Sequence, residues 1–275
     1  MNRPVSGPAG QRYALLAPAG PVMHEKREAP ARRVRRWNAS DGFVGRLILD
    51  PPREGGLNMA LDELLLEESD GPVLRLYSWT RPTLSLGRFQ RFQPRLPIAV
   101  VRRPSGGRAV LHGQEITYCF VSFHGRETVR ESFCRVARSL AAALRRLGIP
   151  ADTCAADSIS PSRTSPACFA VARQGEVQSR GRKLVGSAQV RSGPRTLQHG
   201  TLPLRLDRAL ARELFGTVPE CTDLAELGFG DLDAERLAAV WVEELGLAME
   251  PAPWTPQELE RGRNRSGALE NSGVP

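Results

Sequence analysis

Apolar residues recur with a helical period in several parts of the chain. Residues 57–68, LNMALDELLLEE, place apolar side chains three and four positions apart, and Gly71-Pro72 follow as a stop signal. Residues 128–147 carry a second amphipathic period, with Gly148 placed as the glycine just beyond the helix. Further helices are predicted near 207–215, 233–246 and 255–263.

Short apolar runs bounded by turn residues predict the β-strands. These runs are 43–49, 73–79, 83–87, 98–103, 108–112, 116–123, 167–171, 175–178, 183–191 and 196–204. The Arg180-Gly181 pair predicts a hairpin turn before Lys183. Because the strands crowd the middle while helices come early, between strand groups and late, we predict an α/β (α+β) fold. Its central sheet is mixed, largely antiparallel and flanked by helices.

The same patterns divide the chain into three regions. Residues 1–42 are aperiodic and rich in Pro, Gly and Arg, and 158–166 have a loop composition. We predict a disordered leader over 1–42, a single catalytic domain over 43–263 and a frayed tail over 264–275. No apolar run reaches the length of a membrane span, so we expect no membrane association.

Charge and cysteine content narrow the functional classes. The net charge is +8, but the arginines are scattered rather than gathered into a stripe, so we expect no nucleic-acid partner. A basic face for an acidic protein partner explains the charge equally well. The five cysteines show no CxxC spacing and the histidines no metal-binding spacing, so we expect reduced thiols, a cytoplasmic location and no metal site.

Lysine usage draws attention to position 183. The chain contains 36 arginines and only two lysines, Lys26 and Lys183. A decorative lysine could be an arginine, whereas a lysine in a narrow pocket offers a compact ammonium that can lose its proton. Cys168 precedes it by 15 residues and follows a polar loop. A nearby ammonium favours the thiolate that attacks acyl groups, so we interpret Cys168 as a nucleophile.

Simpler interpretations of these residues stay open. A strand lysine is commonly solvent-exposed decoration, and a cysteine is commonly a small buried hydrophobe. The latter is our interpretation of the other four, Cys119, Cys134, Cys154 and Cys221.

A glycine loop forms the second candidate site. Ser105, Gly106 and Gly107 lie between two predicted strands, Arg103 precedes them, and His112 ends the strand that follows. Backbone N–H groups in such a turn can approach a carboxylate, phosphate or acyl group closely. An ordinary β-turn with solvated arginines is the alternative. The loop matches neither a Walker A motif nor GxGxxG.

Six ordered motifs together resemble the biotin/lipoate protein ligase-like family, and within it the cysteine-dependent octanoyltransferases. The resemblance covers about residues 43–261. The motifs are NMALDELLL (58–66), RPTLSLGRFQ (81–90), RRPSGGRAVLH (102–112), ACF (167–169), GRKLVGSAQVR (181–191) and QHGTLPL (198–204).

The resemblance implies transfer of an octanoyl group from octanoyl-acyl carrier protein, through a thioester on Cys168, to a lysine of a lipoyl-domain protein. The expected acceptor is the glycine cleavage H protein. Cys168 and Lys183 would be catalytic, with no cofactor, ATP or metal, and we expect a monomer. The substrate-binding residues would be Arg103, Ser105, Gly106, Gly107, His112, Gly186, Ser187 and His199.

Two departures from the family's sequence pattern and three alternative functions qualify this implication. After ACF the chain reads AVARQGE and keeps only Glu176 of the pattern that often follows, and the glycine loop reads GGR instead of the ligases' GGG. An ATP-dependent lipoate–protein ligase would need no cysteine. An octanoyl amidotransferase acting between lipoyl domains would use the same Cys168 and Lys183. A non-catalytic acyl- or nucleic-acid-binding protein would need neither.

Overall fold

The computed structural model describes residues 44–155, 166–170 and 175–271. Their strands are β1 (Gly45–Leu49), β2 (Val73–Tyr77), β3 (Thr83–Leu86), β4 (Ala99–Arg102), β5 (Val110–His112), β6 (Gln114–Phe123), β7 (Asp152–Thr153), β8 (Val177–Ser179), β9 (Arg182–Lys183), β10 (Gly186–Ser192), β11 (Arg195–Arg205) and β12 (Met249–Pro251). Their helices are α1 (Gly55–Glu68), α2 (Val129–Arg146), α3 (Arg208–Phe215), α4 (Leu224–Leu227), α5 (Ala234–Leu245) and α6 (Pro256–Asn271). The leader predicted over 1–42 lies outside the described residues, as does the predicted loop 158–166 except for Pro166.

A six-stranded sheet is the largest layer, with strand order β10-β11-β6-β2-β1-β12. The pairs β10–β11, β11–β6 and β6–β2 are antiparallel. The pairs β2–β1 and β1–β12 are parallel. The prediction of a mixed, largely antiparallel sheet flanked by helices is therefore confirmed.

Helices cover both faces of this sheet because its strands are apolar on both sides. On β6, Tyr118 and Phe120 belong to a core cluster with residues of α2 and α5. The alternate residues Cys119 and Val121 belong to a second cluster with residues of α1. Successive side chains of a strand point to opposite faces, so a strand with no polar alternation builds two cores at once.

Two three-stranded sheets accompany the main sheet and carry most of the predicted site. One has the order β4-β3-β5 and holds the glycine loop between β4 and β5; the other has the order β7-β8-β9. The β8–β9 hairpin turns at Arg180 (φ 48°) and Gly181 (φ 76°). Positive φ at both central residues is the geometry that favours glycine in a tight hairpin, and the predicted turn before Lys183 is confirmed.

The predicted ends of α2 are also confirmed. Thr128 and Glu131 form a reciprocal capping box at its start. Gly148, with φ 84°, follows Leu147 at its end. Glycine adopts this left-handed conformation without the steric cost of a side chain.

Three secondary-structure predictions were wrong. Residues after Ala167 form a 3-10 turn, Cys168–Ala170, instead of a strand. The strand predicted over 183–191 is interrupted because Leu184 and Val185 enter the core, where both backbone N–H groups donate to the Val177 carbonyl.

The third error concerns the end of the C-terminal helix. Helix α6 continues to Asn271 instead of ending near residue 263. Arg261 and Arg265 of α6 form ion pairs with Glu68 and Glu67 of α1, respectively.

Candidate active site

Cys168 is held at the site by backbone hydrogen bonds on its own turn. Its N–H donates to the Ala109 carbonyl at 2.8 Å, and the Ala109 N–H donates to the Pro166 carbonyl at 2.9 Å. These bonds join the cysteine turn to the start of β5 and hence to the end of the glycine loop. Cys168 is partly exposed. An accessible thiol at a fixed position is what a nucleophile requires.

The other cysteines occupy different environments. Cys119, Cys154 and Cys221 are buried, and Cys134 is partly exposed. Burial raises the pKa of Cys221 to about 11 and that of Cys119 well above its ordinary value. Cys119 and Cys221 therefore remain neutral thiols inside the protein at physiological pH.

Lys183 brings its ammonium to Cys168 from β9. Its side chain is 2% exposed, and Nζ lies 3.6 Å from the Cys168 Sγ. Nζ also donates to the Cys168 carbonyl at 3.0 Å and to Glu176 at 2.9 Å. Burial acts to lower the pKa of Lys183, but the negative charges of Cys168 and Glu176 outweigh it and raise the pKa. The lysine therefore stays protonated beside the sulfur.

Glu176 is a site residue that sequence reasoning left out of the candidate set. It is buried and pairs with Lys183 seven positions away, across the β8–β9 hairpin. A buried ammonium without a counter-charge is costly, so this carboxylate is what allows Lys183 to sit inside the protein. The available signal was the retained Glu176 in the stretch after ACF.

Cys168 faces a largely apolar cavity, which we call the acyl pocket. It lies between the glycine loop and strands β10 and β11. Its lining includes Met59, Tyr77, Trp79, Ser85, Arg103, Gly107, Val110, His112, Thr117, Cys168, Gly186, Ser187, Ala188, His199, Gly200 and Thr201. Gly186 stands against the sulfur, since a Cβ there would lie 3.6 Å from Sγ and 3.1 Å from the Phe169 ring.

Arg103 organises the glycine loop from within. Its guanidinium donates to the carbonyls of Ser85, Gly106 and Arg108. Burial lowers the pKa of Arg103, and the negative charge of Cys168 opposes that change. Gly107 has φ 95°, which suits glycine. The loop is thus a built, positively charged wall of the acyl pocket.

His112 is fixed between two hydrogen bonds and an aromatic ring. Its Nδ1 lies 2.6 Å from Glu115 and its Nε2 lies 2.7 Å from the Ser85 hydroxyl. Its ring stacks on Trp79 with centroids 3.9 Å apart. Burial acts to raise the pKa of Glu115. His112 and Thr117 act to lower this pKa by more, so the net shift is downward. The carboxylate therefore holds the imidazole in one orientation.

His199 lies in a buried chain of hydrogen bonds. Its Nε2 is 2.5 Å from the Ser105 hydroxyl, and its Nδ1 is 3.2 Å from Asp62 of α1. Burial lowers the pKa of His199, and the nearby charge of Asp62 does not reverse the shift. A neutral ring donates from Nδ1 to Asp62 and accepts at Nε2 from Ser105. The chain ties β11 to the glycine loop.

The structure brings seven of the ten predicted site residues to one cavity. Arg103, Gly107, His112, Cys168, Gly186, Ser187 and His199 line the acyl pocket. Lys183 contacts the Cys168 sulfur without lining the cavity, and Ser105 binds His199. Gly106 supplies a carbonyl to Arg103, and a Cβ on it would meet nothing within 4 Å. The structure places Gly106 outside the lining of the acyl pocket.

Metal-binding clusters and membrane-spanning helices are both absent from the described residues. The described residues contain no group of three or more His, Cys, Asp or Glu side chains placed to hold a metal ion. Among the same residues, every helix is too short or too polar to span a bilayer.

Fold and site together define a class of protein. Residues 54–228 match the lipoyl protein ligase A/B catalytic domain family. This match covers more than half of the chain, and the chain belongs to that family. A T. acidophilum protein solved with bound lipoic acid has the same fold, with a TM-score of 0.68, 20% identity, and coverage of 81% of this chain and 94% of that chain.

Two curated relatives narrow the comparison. The octanoyltransferase LipM of Carboxydothermus hydrogenoformans is 44% identical over 169 residues, which are 56% of this chain and 62% of the relative. This chain therefore spans less than two thirds of that relative's length. The octanoyltransferase LipM of Kyrpidia tusciae is 37% identical over 252 residues, 78% of this chain and 92% of the relative.

Proposed function

We propose that this protein is an octanoyltransferase that moves an octanoyl group from octanoyl-acyl carrier protein to a lysine of a lipoyl-domain protein. The observation that carries the proposal is the position of the Cys168 sulfur. It faces a largely apolar pocket and lies 3.6 Å from the Lys183 Nζ. Curated relatives named octanoyltransferase support it. The acceptor we propose is the glycine cleavage H protein.

In the first step, the Cys168 thiolate attacks the carbonyl carbon of the donor thioester. A new C–S bond forms, the carbonyl electrons move to oxygen, and the Lys183 ammonium, 3.6 Å from the sulfur, would stabilise that oxyanion. Collapse breaks the original C–S bond, and the carrier thiolate leaves. It takes its proton from Lys183, and octanoyl-Cys168 remains.

Acylation itself prepares this proton transfer. The negative charge of Cys168 is one of the two charges that keep the pKa of Lys183 high. A thioester carries no such charge, so acylation removes one of the effects that raise the pKa of Lys183. Lys183 can then give up its proton in the first step and accept one in the second.

In the second step, the neutral ε-amine of the acceptor lysine attacks the octanoyl-Cys168 carbonyl. The amide C–N bond forms, the C–S bond breaks, the amine loses a proton to Lys183, and the Cys168 thiolate returns. The sum is one thioester and one amine converted to one amide and one thiol. The thioester supplies the driving force, so neither ATP nor a metal enters the balance.

The pocket residues would position the acyl group. Gly186 leaves room for a carbonyl beside the sulfur, because any side chain there would fill that space. Arg103 holds the glycine loop, and Ser187, His112 and His199 are among the polar residues of the wall. We also propose a cytoplasmic location, where thiols stay reduced, and a monomeric protein.

Intact-mass spectrometry with octanoyl-acyl carrier protein tests the covalent step. We expect one octanoyl adduct on the wild-type protein and none on Cys168→Ala. Cys134→Ala is the matched control, because Cys134 is the other partly exposed cysteine, and it should keep the adduct. Unchanged turnover of Cys168→Ala would overturn the mechanism.

Donor substitution separates the proposal from its two rivals. We expect no modification of the H protein from free octanoate and Mg-ATP, which an ATP-dependent ligase would use. Faster transfer from octanoyl-H protein to a second lipoyl domain than from octanoyl-acyl carrier protein would identify an amidotransferase. The thioester donor should be the fastest of the three.

A further inference from the structure

A second cavity adjoins the acyl pocket and is larger, at about 660 Å³ against about 50 Å³. Trp79 and His112 line both spaces. Ala167 and Phe169 line the larger space, while Cys168 between them lines the acyl pocket. We call the larger space the arginine groove. The candidate nucleophile therefore stands where the two spaces adjoin.

Strand β11 runs from one space to the other. Its odd-numbered residues His199 and Thr201 line the acyl pocket, and Pro203 and Arg205 line the arginine groove. The pairing of β11 with β6 shifts register between Pro203 and Arg205. Such bulges redirect side chains next to active sites. Here the bulge is followed at once by the exposed side chain of Arg205.

Arg205 differs from the other arginines of the groove in its contacts. Arg81 is paired with Glu54, and Arg208 is paired with Glu226. Within the described residues, the Arg205 side chain has no hydrogen bond or ion pair. It is thus the groove arginine whose donors are available to a bound anion.

The acidic side chains of the groove do not compete for Arg205. Glu115 is buried and bound by His112 and Thr117. Asp207 caps the start of α3 by accepting from the Leu210 N–H. Apolar side chains make up much of the remaining wall, among them Leu111, Leu206, Ala209 and Phe215, and Thr80 and Gln114 add polar groups. The groove therefore suits a long ligand with both apolar and hydrogen-bonding groups and one anionic end.

We propose that the arginine groove binds the 4′-phosphopantetheine arm of the acyl donor and that Arg205 binds its phosphate. This inference rests on the proposed function, because it requires an acyl thioester at Cys168. The acyl chain then lies in the acyl pocket, the thioester lies at the sulfur, and the arm leaves through the groove. Arginine offers phosphate the paired donors that its oxygens accept.

The length of the arm matches the length of the groove. Gly186, which stands against the Cys168 sulfur, pairs with Thr201 on β11. Four residues of extended strand separate Thr201 from Arg205, which is about 13 Å. The arm has roughly thirteen bonds between sulfur and phosphorus and spans roughly 15 Å when extended. A phosphate joined to a thioester at Cys168 can thus reach Arg205.

Acylation kinetics with three donors test this placement. Octanoyl-acyl carrier protein and octanoyl-coenzyme A both carry the phosphate, and octanoyl-pantetheine has the arm without it. For Arg205→Ala we expect KM to rise roughly tenfold with both phosphate-bearing donors and kcat to change little, since uniform binding is lost. We expect Arg205→Lys to recover part of the loss and octanoyl-pantetheine to show no rise in KM.

Arg212→Ala is the matched control, because Arg212 is an exposed arginine on α3 outside the groove lining. It should behave as wild type with every donor. An equal KM rise with octanoyl-pantetheine, or none with octanoyl-acyl carrier protein, would overturn the phosphate contact. A rise with octanoyl-coenzyme A alone would also overturn it, since the carrier arm would then bind elsewhere. Failure of wild-type protein to form any octanoyl adduct would instead refute the proposed function.

Discussion

Glu176→Gln removes one of the two charges that balance the buried Lys183 ammonium. The two side chains are 2% and 6% exposed, and their charged atoms are 2.9 Å apart. Burial lowers the pKa of Lys183, and the charges of Cys168 and Glu176 turn this into a net rise. Without Glu176, the charge of Cys168 remains to oppose the effect of burial.

The expected loss of stability follows from the burial of the Lys183–Glu176 ion pair. Removing one partner of a buried ion pair lowers the free energy of unfolding by about 3–5 kcal/mol. We expect about 3 kcal/mol for Glu176→Gln, because the glutamine oxygen can still accept one hydrogen bond from Lys183. Glu127→Gln is the matched control, since Glu127 pairs with Arg135 at 2.9 Å with side chains 34% and 35% exposed. It should cost about 0–1 kcal/mol.

The pH dependence gives the sharper test. In the wild type the pKa of Lys183 is raised above its ordinary value of 10.5. The contribution of the ion pair to stability is therefore constant below pH 10.5 and is lost only at higher pH. Glu176→Gln removes one of the two charges that raise the pKa of Lys183, so this pKa is lower than in the wild type and the mutant lysine loses its proton at lower pH. Urea denaturation of both proteins near neutral and near alkaline pH should show the difference shrinking. A cost no larger than that of Glu127→Gln, or one that grows with pH, would refute the reasoning.

Three further predictions concern neighbouring residues. Lys183→Arg should slow octanoyl transfer at least roughly a hundredfold in steady-state assays, because a planar guanidinium misdirects its donors beside the sulfur. A wild-type rate for this variant would show that Lys183 takes no part in catalysis. Gly186→Ala should slow acylation of Cys168, because the new Cβ would lie 3.1 Å from the Phe169 ring. Gly106→Ala should not slow it, because a Cβ at that position would meet nothing within 4 Å. Equal acylation rates for the two variants would contradict the role of crowding at Gly186. The lowered pKa of His199 means that its contribution to stability is present above about 6.5 and is lost as the pH falls through the folded-state pKa. Acid denaturation of His199→Gln should lack that loss, and identical acid profiles would contradict the assignment.

Local signals determined most of the secondary structure. The capping residues Thr128 and Glu131, the glycine at 148 and the Arg180-Gly181 turn all act through neighbouring backbone atoms, so their effect is legible in the sequence. The strands of the sheet were predictable for the same reason. The cysteine turn was not, because an apolar run such as ACFAV has no period, and its conformation depends on the bonds that Ala109 makes to it.

Some residues of the candidate site could be predicted from the sequence, whereas their partners could not. Residue usage was enough to single out Lys183, one of two lysines, and the polar loop, the 15-residue spacing and the resemblance to a family singled out Cys168. The partners of these residues were decided by tertiary structure. Asp62 meets His199 from 137 positions away, and Arg205 reaches the groove through a bulge that depends on strand register. Hydrophobic period and turn propensity are local properties, whereas a buried charge selects its partner only after strands and helices have packed around it.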